Sequence, residues 1–315
     1  MEKRLTGKFV VAGLHPAIDR TIEVPALRRG GAIRGKLLLV QTGGKGTNVA
    51  RSLAHLGNAV TIRGILAEND APFFRSALRE SPIRSRFVTI PGDTRQNITI
   101  VEAHGVDTHV ISGRMRVSRN EARRVRAAVA DAAERGDWAI VTGSRPEGFT
   151  LADYEKTLRV LRRKGARPVV DADGKTLAAA MRNEPWLIKP NRAELERLLG
   201  RRHRSTKRLV GAARDLLDAC AIVLLSLDAE GAALIAREGS WRSRDTAPVR
   251  VVHTVGCGDA LLAGFLSAYA AGKSPAQALR FGVACGSACV RTRSNVVRST
   301  AEVRRRLPGV VVERI

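Results

Sequence analysis

Short apolar runs alternate with amphipathic stretches along this chain. Phe9–Leu14, Ala59–Gly64, Trp138–Thr142, Pro168–Asp171, Trp186–Ile188 and Ile222–Ser226 are compact runs rich in Val, Ile, Leu and Ala, the composition of strands buried on both faces. Helical spacing predicts helices over Gly46–Leu56, Ser118–Glu134, Leu151–Arg163, around Glu194, over Thr206–Ala219, and over 259–271, 275–290 and 300–306. Ser118 with Glu121 three residues on has the spacing of a capping box. Leu234–Ala236 and Trp241–Arg244 read as a hairpin. Strands alternating with helices imply an α/β fold with a mostly parallel sheet and right-handed crossovers. Two stretches break the rhythm, Thr21–Leu39 and Arg86–Ile111. Both alternate like strands without intervening helices, as in Asn97-Ile98-Thr99-Ile100-Val101. They predict a small second sheet inserted at about 15–40 and 86–112, placed to cover an active site as a lid or to pair with a copy of itself. With no low-complexity linker and no repeat, residues 1–315 read as one domain.

Apolar residues make up 44% of the 315, enough for a sizeable core, and only 4% are aromatic, so aliphatic side chains must build it. No apolar run approaches the roughly 18 residues that cross a bilayer. The start, MEKRLTGKFVVAGLHP, lacks the apolar length and cleavage site of a signal peptide. Cys220, Cys257, Cys285 and Cys289 have no metal-site spacing and suit a reducing, cytoplasmic setting. The net charge of +24 raises nucleic-acid binding as a possibility. Its basic residues, however, are spread along the chain, and aromatics do not interleave with the densest groups, Arg201-Arg202-His203-Arg204 and Arg304-Arg305-Arg306. Dispersed solvated charge with a general pull on phosphorylated substrates is the expectation, without a nucleic-acid or membrane partner.

Two glycine clusters carry the chemistry. In 251–272 a β-branched run leads into Gly256-Cys257-Gly258 and straight into a helix, with Asp259 in its first turn. The glycines allow close backbone approach, and the helix start offers unpaired N–H groups and a positive dipole end, which suits phosphate. An aspartate beside an anion hole makes sense where it must hold or deprotonate an attacking hydroxyl. The dipole predicts a lowered pKa for that aspartate. The second cluster, Gln41-Thr42-Gly43-Gly44-Lys45-Gly46-Thr47-Asn48, also opens a helix. It is not a Walker A loop, because Leu39 and Gly46 stand where Gly and Ser or Thr are required. Either a binding loop or a plain turn fits it alone.

Gly43-Gly44-Lys45-Gly46-x-Asn48-Val49-Ala50 and Thr254-Val255-Gly256-Cys257-Gly258-Asp259 resemble the two signatures of the ribokinase-like (PfkB) carbohydrate kinases. Pro16-Ala17-Ile18-Asp19-Arg20-Thr21, Gly92-Asp93-Thr94-Arg95-Gln96-Asn97-Ile98, Gly143-Ser144, Trp186-Leu187-Ile188-Lys189-Pro190-Asn191 with Glu194, and Ser294-Asn295-Val296 are similar to its phosphosugar branch, 1-phosphofructokinase and tagatose-6-phosphate kinase. The likeness runs in order from about residue 9 to 300. It implies a three-layer α/β/α sandwich with a small β-sheet lid, and an ATP- and Mg²⁺-dependent kinase of a phosphorylated ketohexose that acts as a homodimer through the lid. It also implies roles. Asp259 is the catalytic base, and the amides of Gly256, Cys257 and Gly258 form the anion hole. Asp19, Gly44, Asn48 and Ser144 hold the sugar, and Arg95 with Lys45 grips its phosphate. Lys189, Asn191, Ser226, Gly231, Ala284 and Asn295 bind the nucleotide, and Asn191 and Glu194 place magnesium through water. Arg34 is as readily a surface charge as a helper.

Some positions depart from the family's pattern. His15 replaces Asn, His253 replaces Asp or Ser, Cys257 replaces Ala, Arg145 replaces Leu, and Ser112-Gly113-Arg114-Met115 lacks a proline. His15 and Arg145 are expected near the sugar. Cys257, at a helix start beside a phosphate site, is placed to be a reactive thiol; a passive replacement is the alternative. A kinase of an unphosphorylated sugar or nucleoside, and a non-catalytic binder of sugar phosphate or nucleic acid, remain open as other readings.

Overall fold

The computed structural model describes residues 7–79, 82–102, 107–248 and 251–315. In chain order the elements are β1 (Phe9–Gly13), β2 (Ala17–Val24), β3 (Lys36–Gly43), α1 (Lys45–His55), β4 (Val60–Ala67), α2 (Ala71–Arg79), β5 (Ile83–Ile90), β6 (Gln96–Glu102), β7 (Asp107–Ser112), α3 (Arg119–Ala132), β8 (Trp138–Thr142) and α4 (Leu151–Arg163). Then follow β9 (Arg167–Asp171), α5 (Gly174–Met181), β10 (Leu187–Ile188), α6 (Arg192–Leu198), α7 (Thr206–Ala213), β11 (Ile222–Ser226), β12 (Ala232–Ala236), β13 (Gly239–Asp245), α8 (Cys257–Ala270), α9 (Pro275–Cys289), α10 (Thr300–Arg306) and β14 (Val310–Arg314).

Ten strands form the main sheet in the order β14-β13-β12-β11-β10-β9-β8-β1-β4-β5. From β5 to β11 all pairings are parallel, and β12, β13 and β14 close the other side antiparallel. Side-chain alternation divides the core into two layers. Phe9, Val11, Trp138 and Ile140 pack toward Val49 and Leu53 of α1 and Leu262 and Phe265 of α8. Val10, Ala12, Ala139 and Val141 pack toward Val125 of α3, Leu158 of α4, Leu177 of α5 and Leu209 of α7. Helices therefore cover both faces of one sheet, the expected three-layer arrangement. The capping box at Ser118–Glu121 forms, and β12 and β13 pair as the expected hairpin.

The small sheet has the order β3-β2-β6-β7, with β2 and β6 parallel. It packs Ile18 over Leu66, Ala71 and Phe74. Its second contribution begins at Gln96. Ile83–Ile90, partly assigned from sequence to the insert, pairs with β4 at the edge of the main sheet instead. As an edge strand it is covered on one side, so it alternates like a small-sheet strand. Residues 103–106 of that insert and 1–6 of the N-terminal reading lie outside the described residues. The helix expected over Thr206–Ala219 stops at Ala213 and continues as a 3-10 turn to Asp218. Among the described residues no helix is long and apolar enough to cross a membrane.

Candidate active site

The carboxyl ends of the parallel strands, where open α/β sheets bind ligands, open into a cleft of about 430 Å³ roofed by β6 and β7. Gly256 caps α8 with φ 84°, and a Cβ there would lie 2.1 Å from the Asn295 carbonyl oxygen. Only glycine fits, so the turn is held against its neighbour and the start of α8 faces the cleft. Gly256, Gly258 and Asp259 all line it.

Asp259 is buried and accepts a 2.8 Å hydrogen bond from Asn48 Nδ2. Its pKa is pushed up to about 7, first by burial and then by Asp171, against Lys45, Asn48 and Lys189. This reverses the lowering expected from the helix dipole: loss of water outweighs the partial charge of the helix end.

Asp171 is the residue that sequence reasoning missed. It ends β9, is fully buried, and lies between two ammonium groups, with Lys45 Nζ 2.8 Å from Oδ1 and Lys189 Nζ 3.3 Å from Oδ2. Burial alone would raise its pKa; the two lysines win and hold it below the usual range. Lys45 is shifted upward, because Asp171 and Asp259 overcome the burial penalty. The available signal was an apolar strand, Pro168-Val169-Val170, ending in a carboxylate at the ligand-binding edge of a parallel sheet.

β1 stops at Gly13, and Asp19 stands within β2 of the small sheet. Asn97 Nδ2 (2.8 Å) and Asn295 Nδ2 (2.7 Å) donate to its carboxylate. A Cβ on Gly43 would lie 2.2 Å from that carboxyl group, which explains the glycine. Burial raises the Asp19 pKa against both amides, Arg95 and His253. Arg95 donates through Nη1 to Asn97 Oδ1 at 3.0 Å and through Nη2 to the His15 carbonyl at 3.2 Å. His15 Nδ1 and Ser144 Oγ are hydrogen-bonded at 2.7 Å, and burial with Arg95 drives the imidazole down to about 3. Ser144 thus supports His15 and is not among the cleft-lining residues. Arg145 donates to the Phe149 carbonyl in its own loop and to Thr176 Oγ1 of α5.

On the other side of the cleft, Lys189, Asn191, Glu194 and Ser226 come together with Asp228. Asn191 and Glu194 form the capping box of α6: Asn191 Oδ1 accepts from the Glu194 amide at 2.9 Å, and Glu194 Oε2 from the Asn191 amide at 2.8 Å. Gly231 (φ 88°) lies against the Ser243 carbonyl at the base of the hairpin. Two nucleotide assignments do not fit this geometry. Ala284 is fully buried between the main sheet and α8, and Asn295, outside the cleft lining, donates its amide nitrogen to Asp19 and the Thr42 carbonyl. Cys257 also stays out of the lining, with Sγ donating to the His253 carbonyl at 3.7 Å.

Asn48 Oδ1, Arg95 Nε and His253 Nδ1, all on cleft-lining residues, are buried polar atoms without a partner among the described residues. Polar groups of a ligand in the cleft would satisfy them.

The profile of the pfkB family carbohydrate kinases matches residues 8–300. 1-Phosphofructokinase from Escherichia coli K12 is 31% identical over 90% of both chains. 1-Phosphofructokinase from Haloferax volcanii is 35% identical over 88% of both. Phosphofructokinase-2 from Escherichia coli superimposes with a TM-score of 0.89 at 26% identity, covering 96% of this chain and 99% of its own.

Proposed function

The chain belongs to the pfkB family of carbohydrate kinases, and from that premise we infer an ATP-dependent kinase that transfers the γ-phosphate to a hydroxyl of a phosphorylated ketohexose. Fructose 1-phosphate is the leading acceptor, because the relatives with 31% and 35% identity carry that activity in their names. Fructose 6-phosphate and tagatose 6-phosphate are the next to test.

One observation carries this reading. Asp259, poised near neutrality at the start of α8, shares a cleft with Asp19 and Arg95. Asp19 and Asn48 orient the sugar, and the guanidinium of Arg95 binds its existing phosphate. Asp259 accepts the proton of the attacking hydroxyl, the oxygen bonds to the γ-phosphorus, and ADP leaves with the bridging electron pair. Amides at the start of α8 stabilise the charge on the transferring group. Lys45 and Lys189, held by Asp171, present two further positive charges to the phosphates. Mg²⁺ supplies charge neutralisation on the nucleotide when bound. Among the described residues no cluster of three His, Cys, Asp or Glu could cage a metal. Asn191 and Glu194, both lining the cleft, would hold the ion through water. The functional unit is a homodimer in which the small sheets pair.

A panel of sugar phosphates assayed with ATP tests the reading. Turnover is expected with at least one ketohexose phosphate, and Asp259→Asn is expected to remove about 10²-fold or more of it. Arg95→Ala is expected to lower kcat/KM by about tenfold or more, roughly 1.4 kcal/mol. An unaffected Arg95→Ala would point to an unphosphorylated acceptor.

A further inference from the structure

The cleft wall beside Asp19 carries a group that the transfer chemistry does not use. His253 precedes the glycine turn, is 4% exposed, and lines the cleft. Its amide donates to Val290 O at 3.2 Å and its carbonyl accepts from Cys257 Sγ, so its backbone is held from both sides. The ring touches the Val255 backbone, and Nδ1 finds no hydrogen-bond partner among the described residues. The charged and titratable groups facing the ring are Asp19 from β2 and Asp107 and His109 from β7. His109 lines the same cleft, with Nδ1 hydrogen-bonded to Thr99 Oγ1 at 3.2 Å.

We propose that His253 is a specificity-determining residue whose Nδ1 hydrogen-bonds a hydroxyl of the acceptor sugar held by Asp19. The proposal rests on the phosphosugar-kinase reading and adds a contact to it. A buried ring nitrogen without a partner is unfavourable in the free protein, and a ligand hydroxyl relieves it. A site built this way discriminates strongly, because an analogue without the hydroxyl leaves the nitrogen unpaired. The location selects sugar over nucleotide: Asp19, Asp107 and His109 are the charged and titratable groups whose fields act on the ring, whereas Lys189, Asn191 and Ser226 sit at the ends of β10 and β11. The ring's charge state selects hydroxyl over phosphate. Burial holds its pKa below the ordinary histidine value, and His109 adds to this against Asp19 and Asp107. A neutral imidazole nitrogen suits a hydroxyl, which both donates and accepts, while the permanent cation Arg95 is better suited to phosphate.

The test uses the full-length protein with fructose 1-phosphate and with each of its monodeoxy analogues, alongside His253→Ala and His253→Asn. For His253→Ala the KM for the sugar phosphate is expected to rise about tenfold or more, with the KM for ATP unchanged. Asn, which keeps a polar atom near the Nδ1 position, is expected to recover most of the loss. Free His253→Ala protein is expected to melt no lower than wild type, yet to show a smaller upward shift when fructose 1-phosphate is added. One monodeoxy analogue is expected to bind wild type and His253→Ala equally poorly. An unchanged sugar KM and melting shift in His253→Ala, or wild-type insensitivity to every deoxy analogue, overturns the proposal while the kinase reading stands. Should His253→Ala fail to fold, the Asn variant and the analogues on wild type decide alone. A wild type that turns over no sugar phosphate overturns both readings.

Discussion

A carboxylate at a helix start, in reach of two lysines, would ordinarily be too acidic to take a proton. Asp259 is not, because burial and the neighbouring Asp171 outweigh Lys45, Asn48 and Lys189. Its protonated form therefore predominates below about 7, and kcat/KM for the sugar phosphate is expected to rise with pH through an inflection near that value. Asp171→Asn removes a raising charge and leaves the two ammonium groups uncompensated. Both changes stabilise the Asp259 anion, so the inflection is expected to move to lower pH. A pH–rate profile showing it unmoved or higher in Asp171→Asn would refute this assignment. The same shift has a consequence for stability. A carboxylate whose folded pKa lies above its unfolded value of about 3.9 favours the fold below that value and loses the contribution as pH rises through about 7. Asp259→Asn has no charge to bury, and is expected to melt at least as high as wild type at pH 8 while almost inactive. At this scale the sequence revealed single groups better than couplings. Asp259 and Lys45 stood out by their glycine neighbours; the Lys45–Asp171–Lys189 bridge joins three distant segments, and nothing local in any of them signals the other two.

The elements that place these residues are set by local rules of differing reach. α8 and α1 were readable because glycine clusters open them, and α3 because Ser118 and Glu121 announce a cap. β5 was readable as a strand but not as a member of the main sheet, since alternation reports one covered face without saying which sheet covers it. β14 is a short strand whose partner, β13, lies far back in the chain, and α2 is short, burying only Ala71, Phe74 and Leu78. Caps separate structural from functional contributions. Ser118→Ala removes the cap acceptor of α3, outside the cleft lining, and is expected to cost about 1 kcal/mol with kinetics unchanged. Asn191→Ala removes the equivalent cap of α6 and is expected to cost a similar amount. It should also raise the KM for Mg²⁺–ATP, because the same side chain lines the cleft. Calorimetry paired with steady-state kinetics on the two variants checks this; equal kinetic effects would mean that Asn191 acts only as a cap.

At the scale of the whole molecule, the small sheet is the part least explained by one chain. Its outer strands, β3 and β7, have free edges in the described residues. They expose Leu37 (53%), Val110 (42%) and Ile111 (71%), while Val110 and Ile111 also line the cleft. Apolar strand edges left open invite pairing with another chain, and a second copy would cover them while ordering the roof of the site. Sedimentation equilibrium is therefore expected to give twice the 34.0 kDa chain mass for wild type. Ile111→Lys, a charge at the strand edge, is expected to give the chain mass alone. Activity per chain should fall as wild type is diluted through its dissociation range, whereas Ile111→Lys should show the lower activity at every concentration, with a raised sugar KM. The pattern links assembly to catalysis through particular residues, since Val110 and Ile111 would serve the interface on one side and the cleft on the other. A wild type that sediments as a single chain at all concentrations, with undiminished activity on dilution, would assign both residues to the cleft alone.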